Sequence, residues 1–165
     1  MVAAVDSHNT IVLTAAPAGR FLEGILDHAT SLKPGHCMAI SAAVEPVGGR
    51  HTWTYYAGDQ GHRTLIAILL ENELVGLTCE DAIADGQHIR MYCPIPGDEL
   101  LVRISATGTG TGDSLAIGDK VILAADGTFI ANTGSPESEP FVVMETVDDV
   151  VASPGTLVHV MFTGF

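Results

Sequence analysis

Three short stretches of the chain share one pattern, a glycine turn that opens an alternating strand. They are Lys33-Pro-Gly-x-x-Met38-x-Ile40, Ile95-Pro-Gly-Asp-x-Leu100-x-Val102 and Ala116-Ile-Gly-Asp-x-Val121-x-Leu123. Apolar residues with a period of two mark a strand that buries one face, and glycine supplies the backbone angles a tight turn requires. The spacing between the three copies is irregular, which excludes a solenoid. A small barrel or sandwich assembled from successive turn-and-strand units leaves this trace.

The rest of the chain fits that frame. Residues 10–15 (TIVLTA) form an apolar patch with no partner strand close in sequence, expected as an extended arm or an edge strand. Strands are expected at 20–29 and 36–41, a hairpin or long loop at 45–63, and a central strand in the continuous apolar run 64–71 (TLIAILLE). Residues 72–85 are the helical candidate, with Thr78 and Asp81 at cap-like spacing. From Gly86 onward strands are expected at 87–95, 99–106, 120–125, 128–132, 140–147 and 156–162, divided by glycine and proline. The expected fold is mainly β: a small β-barrel or sandwich with one short helix and an extended N-terminal arm. The arm is placed at 1–18 and the β-rich body at 19–165.

Charge narrows the partners. Twenty Asp and Glu against seven Lys and Arg give a formal net charge of −13, and the seven cations are scattered singly along the sequence. Nucleic-acid binding depends on cations that neutralise phosphates, so direct nucleic-acid binding is not expected. Charged residues are 16% of the chain, against roughly 25% in a typical soluble domain. Burial of part of the surface against other subunits accounts for that poverty. The longest purely aliphatic run, residues 65–70, falls far short of the ~20 residues of a membrane span, and the first residues lack the pattern of a secretory signal. Three widely spaced cysteines, an odd number, do not make a disulfide framework and suit synthesis in a reducing cytosol.

Candidate chemistry is sparse. His36-Cys37 are adjacent and would point to opposite faces of a strand, and His88 and Cys93 lack zinc-ligand spacing, so no metal site is expected. There is no GxSxG elbow. Glu71/Glu73 and Asp148/Asp149 are expected as solvated ends of strands, whereas acid–base carboxylate pairs come from separate elements that face one cleft. The tract TGTGTGDS (107–114) lacks the Gly-Lys-Ser/Thr ending of a phosphate loop. The hairpin 115–132 turns at Asp126-Gly127 with no lysine at its tip, which removes a swinging-arm carrier. No catalytic residue, no cofactor and no enzymatic activity are expected.

The order of the pieces carries more than any one of them. LKPGHCMAI is followed by LIAILLEN, EDAIADGQHIRMYCPIPGDELLVRIS, SLAIGDKVILAADGTF, FVVMETVDD and TLVHVMF. This succession, over residues 32–162, resembles the head decoration, or capsid cement, proteins of tailed double-stranded DNA bacteriophages. Its most specific elements are residues 69–72, 81–85, 96–99 and 117–127. The resemblance implies a non-enzymatic, β-rich virion protein on the outer capsid surface, made in the host cytoplasm. Such proteins bridge neighbouring subunits of the major capsid protein and strengthen the head. It further implies self-association, as a homotrimer at three-fold and quasi-three-fold positions or as a dimer, with no membrane partner.

Contact with the capsid or with other subunits is assigned to Ile11, Val12, Leu13, Phe21 and Leu22, apolar side chains without an evident core partner in the chain, and to Trp53 and Tyr55. An alternative of another class is a small-ligand or glycan-binding β-sandwich. Trp53 and Tyr55 would share one strand face, with Tyr56 beside them, to stack on a sugar.

Overall fold

The computed structural model describes residues 11–14, 20–41, 50–55, 66–72, 76–105, 114–132, 141–148, 150 and 155–164. These form the strands β1 (Val12–Thr14), β2 (Arg20–Leu26), β3 (Cys37–Ile40), β4 (Thr52–Tyr55), β5 (Ala67–Leu69) and β6 (His88–Cys93). They continue with β7 (Glu99–Ile104), β8 (Lys120–Leu123), β9 (Phe129–Ala131), β10 (Phe141–Val143) and β11 (Thr156–Phe162). The fold is mainly β.

Five strands in the order β2-β4-β3-β5-β6 close into a barrel. Within it β2 runs parallel to β4, and every other neighbouring pair is antiparallel. The second half repeats this arrangement strand for strand. There β7 runs parallel to β9 and antiparallel to β11, β8 pairs with β9 and β10, and β10 pairs with β11. A single bridge between Ile104 and Phe129 returns β9 to β7 and closes the second ring. β1 adds to β7 beyond that bridge.

The repeat reaches individual hydrogen bonds. Gly35 N–H donates to Leu69 O and Leu69 N–H to His36 O; Gly118 N–H donates to Val143 O and Val143 N–H to Asp119 O. Leu32 and Ile83 exchange backbone bonds in the first half, as Leu115 and Val147 do in the second. Gly35 and Gly118, with φ of 94° and 93°, make the same left-handed turn. Two of the three recurrent turn-and-strand stretches are therefore equivalent positions of a duplicated barrel.

Each barrel has its own interior. The first is filled by Leu26, Met38, Trp53, Ala67, Leu69, Ile89 and Met91. The second is filled by Ile104, Val121, Phe129, Phe141, Val143, Val158 and Val160. Ile66, Ile68 and Leu70 alternate around β5 with the inward Ala67 and Leu69, and they pack with Tyr92 into the second barrel's core. The continuous apolar run of residues 66–70 thus serves two cores at once, one on each face of the strand. Fully burying one Leu, Ile or Phe side chain contributes roughly 1.5–3 kcal/mol, so this shared face binds the barrels firmly.

The expected short helix at 72–85 is corrected: among the described residues there, none is helical. Thr78 offers both its N–H and its hydroxyl to Asp81 Oδ2, each at 2.8 Å, and Asp81 N–H returns to Thr78 O. The spacing that resembles a helix cap closes a local turn instead, because Ile83 is held in the ladder with Leu32 and the chain has no room to wind on.

Of the expected arm at 1–18, residues 11–14 are described. They lie on the chain's own body: Leu101 N–H donates to Ile11 O at 2.7 Å, Ile11 N–H donates to the Glu71 carboxylate at 2.9 Å, and β1 pairs with β7. Of the segment 45–63, residues 52–55 form β4, and residues 45–49 and 56–63 lie outside the described residues, as does 107–113 of the glycine-threonine tract.

Candidate interaction surface

The residues that fasten the two barrels set the frame for every exposed feature. Arg103 on β7 is 2% exposed, and its guanidinium is almost wholly enclosed by carbonyls. Nε donates to Pro34 O at 2.9 Å, Nη1 to Gly155 O at 2.9 Å, and Nη2 to Cys79 O at 2.7 Å and to Glu80 Oε1 at 3.2 Å. A planar fork with fixed donors can reach three separate segments at once. Its backbone joins in, for Arg103 N–H donates to Gly35 O. Glu80 also pairs with Lys33 at 3.1 Å. Partial burial pushes the Glu80 carboxyl upward, but the charge of Arg103 and the bonds from Lys33 and Arg103 outweigh it and hold the group below its ordinary value.

A second joint lies where β6 passes into β7. Asp98, buried, accepts from Tyr92 Oη at 2.6 Å and from Ile95 N–H at 2.8 Å. Burial, then the hydrogen bond and charge of Asp98, push the Tyr92 phenol well above its ordinary range. Phe162 N–H donates to Asp98 O and Gly97 N–H to Phe162 O, so the turn is sewn to the last strand.

The contact residues expected from the sequence fall in different places. Ile11 is fully buried in the second barrel's core, so the reasoning that it lacks an intrachain partner does not hold. Val12 and Leu13 are in β1. Leu22 is half-buried against the first barrel's interior. Trp53 and Tyr55 do share a face of β4, but that face is the barrel's inner one: Trp53 is 3% exposed and offers no ring to a sugar. Tyr56 lies outside the described residues. Phe21 is different. It is 53% exposed on β2, against Tyr92 with ring centroids 5.3 Å apart.

Around Phe21 the fold gathers charge that is scattered in the sequence. The Arg90 guanidinium lies 5.5 Å from the Phe21 ring centre, and Arg90 stands opposite Glu23 in the β2–β6 register. Arg20 opens the same strand, opposite Cys93. Arg50 reaches the imidazole of His88, which stands opposite Ile25. Arg90 thus shares the outward face of the β2–β6 pair with Phe21 and Glu23, whereas alternation turns Arg20 to the opposite face. The register of β2 against β6 brings Arg90 beside Phe21 across sixty-nine positions of sequence. Nothing in linear spacing announces it.

A concavity of about 370 Å³ lies between the first barrel and the β8–β9 turn. Its walls include His28, Lys33, His36, Tyr55, Asp126 and Thr128. His28 meets Tyr55 edge-on with centroids 4.4 Å apart. His36 Nδ1 is 2.7 Å from Lys33 O, and burial lowers its pKa from the ordinary value despite that bond. Among the described residues no group of three or more His, Cys, Asp or Glu side chains is placed to hold a metal ion.

No family model matches the sequence, and no curated protein matches it. Among solved structures, the fold is similar to the N base of the head fiber protein gp8.5 of bacteriophage phi29. The TM-score is 0.52 at 13% identity, over 88% of this chain and 94% of that one.

Proposed function

We propose that this chain is a structural protein of a tailed-phage virion, without enzymatic activity, that binds the outer surface of the capsid and stabilises it by bridging major capsid protein subunits. The observation that carries the reading is the fold likeness to the base of a phage head fiber, which spans nearly the whole of both chains. The succession of motifs over residues 32–162 points the same way by an independent route. A net charge of −13 suits a protein that faces solvent on the outside of a DNA-filled particle, since like charge opposes contact with packaged nucleic acid. Two barrels locked by Arg103 and a shared apolar face form a stiff body, which suits a part that must hold neighbouring subunits at fixed separation.

Self-association as a homotrimer, or as a dimer, belongs to the same proposal. The test is direct: purified protein is mixed with heads that lack it, and the heads are pelleted and their heat resistance measured. Saturable co-sedimentation with a raised disruption temperature supports the proposal. Absence of binding, at protein concentrations well above that of the capsid sites, contradicts it.

A further inference from the structure

The duplication allows the two barrels to be compared edge by edge, and one edge differs. On β7 the odd-numbered residues turn their backbone groups toward β1 and β9: Leu101 N–H donates to Ile11 O and Ser105 N–H to Phe129 O. On β2 the corresponding residues are also the odd ones. Leu26 N–H donates to Gln87 O on the β6 side, whereas Ile25 N–H donates to His51 O and Asp27 N–H to Trp53 O on the β4 side. Superposing Leu26 and Trp53 on Ile104 and Phe129 places residues 21–23 of β2 where residues 99–101 of β7 lie.

In the second barrel that stretch carries β1, with Val12 opposite Leu100 and Thr14 opposite Glu99. In the first barrel β4 pairs with β2 only at Ile25 and Leu26, and among the described residues no strand continues past them. Phe21 and Glu23 are exposed, and the parity of the β2–β6 ladder turns their N–H and C=O groups away from β6, to a side where no described strand pairs with them. An edge of this kind is a template for another strand, in which main-chain bonds supply affinity and flanking side chains supply choice. The flanking side chains here are an exposed aromatic with Arg90 over it and Glu23 opposite that arginine, and Arg50 reaches His88 further along β6. Arginine and aromatic side chains dominate interface energetics, and the cations select for negative charge.

We propose that residues 21–23 of β2 are a strand-acceptor slot whose occupant is an extended segment of the capsid shell protein, with a carboxylate beside an apolar side chain. This rests on the capsid reading above. The occupant adds to β2 as β1 adds to β7, its apolar side chain against Phe21 and its carboxylate toward Arg90.

The test is amide hydrogen exchange on the full chain, free and bound to saturated heads, with the variants Glu23→Pro, Phe21→Ser and Arg90→Glu. Proline at residue 23 removes an N–H that points away from β6, so the barrel's own ladder is kept, and Phe21→Ser serves if the proline variant fails to fold. The expected result is fast exchange at the Phe21 and Glu23 amides in the free protein and exchange slowed roughly a hundredfold on heads. Each folded variant should lose head affinity by roughly tenfold or more. Unchanged exchange at those amides on saturated heads, or folded Glu23→Pro and Phe21→Ser proteins that bind as the wild type does, would overturn the slot. Self-association lost in Glu23→Pro with head binding intact would overturn the shell as occupant in favour of a second copy. Heads that take up no wild-type protein at all would overturn the capsid reading and the occupant together, a result distinct from the other two.

Discussion

The indole of Trp53 lies across Gly24, so close that a Cβ at residue 24 would overlap ring atoms Cδ1 and Nε1. The equivalent pair in the second barrel is Val102 and Phe129, both buried. The two barrels therefore fill one architecture with opposite choices, the largest side chain over the smallest in one and two of middle size in the other. Gly24→Val alone should destabilise the protein by about 1–3 kcal/mol through overpacking, and Trp53→Phe alone by a similar amount through a cavity. The double variant removes the indole clash but keeps the His51 carbonyl 2.8 Å from the new Cβ, so it stays below wild type while its loss should be at least ~1 kcal/mol smaller than the sum of the singles. Chemical denaturation of the four proteins measures that coupling; strict additivity would sink it.

Arg103 is a charge that cannot be removed quietly. Arg103→Met leaves the carbonyls of Pro34, Gly155 and Cys79 without their donor, and a loss of about 3–5 kcal/mol is expected. Arg103→Lys should recover only a small part of it, since one ammonium cannot serve three separate acceptors in the guanidinium's plane. Denaturant midpoints for the two variants check this, and a lysine variant as stable as wild type would contradict it.

His36 makes stability depend on pH. Its folded pKa lies below the ordinary 6.5, so between the two values the unfolded chain binds more protons than the folded one. Stability from this group is complete above 6.5 and is lost as the pH falls from there toward the lowered value. Thermal unfolding of the wild type should therefore weaken across that window, and His36→Asn should flatten the slope. A slope that is the same in the variant would assign the effect elsewhere.

Residues 11–14 behave as part of the body. Ile11→Ala should cost about 2–4 kcal/mol, the range for a buried aliphatic truncated in a packed core. Removal of residues 1–10 should leave the melting temperature within a few degrees of wild type, whereas removal of residues 1–15 should lower it far more, because Ile11 and its bonds to Leu101 and Glu71 go with it. Equal melting temperatures for the two truncations would show that β1 contributes nothing to the fold.

The β class was legible because turn glycines and alternation are local, and Gly35 and Gly118 stand where the pattern places them. The duplication was not, because equivalent positions hold Gly24 and Val102, Trp53 and Phe129, or Ala67 and Phe141, which share a location but differ widely in size. Arg103 lies in an alternating strand at a position that sequence assigns to solvent, and it is buried because another barrel covers that face. The helix was misplaced since Thr78 and Asp81 make the same hydrogen bonds in a turn as at a cap. The meeting of Arg90 with Phe21 depends on strand register, which long-range packing decides and local pattern does not.

The most direct test of the account is electron microscopy of heads assembled with and without the protein. The expected result is added density on the outer surface, two barrels in size, that touches at least two major capsid subunits and places β2 against one of them. Density within the shell, or heads indistinguishable from those assembled without the protein, would contradict it.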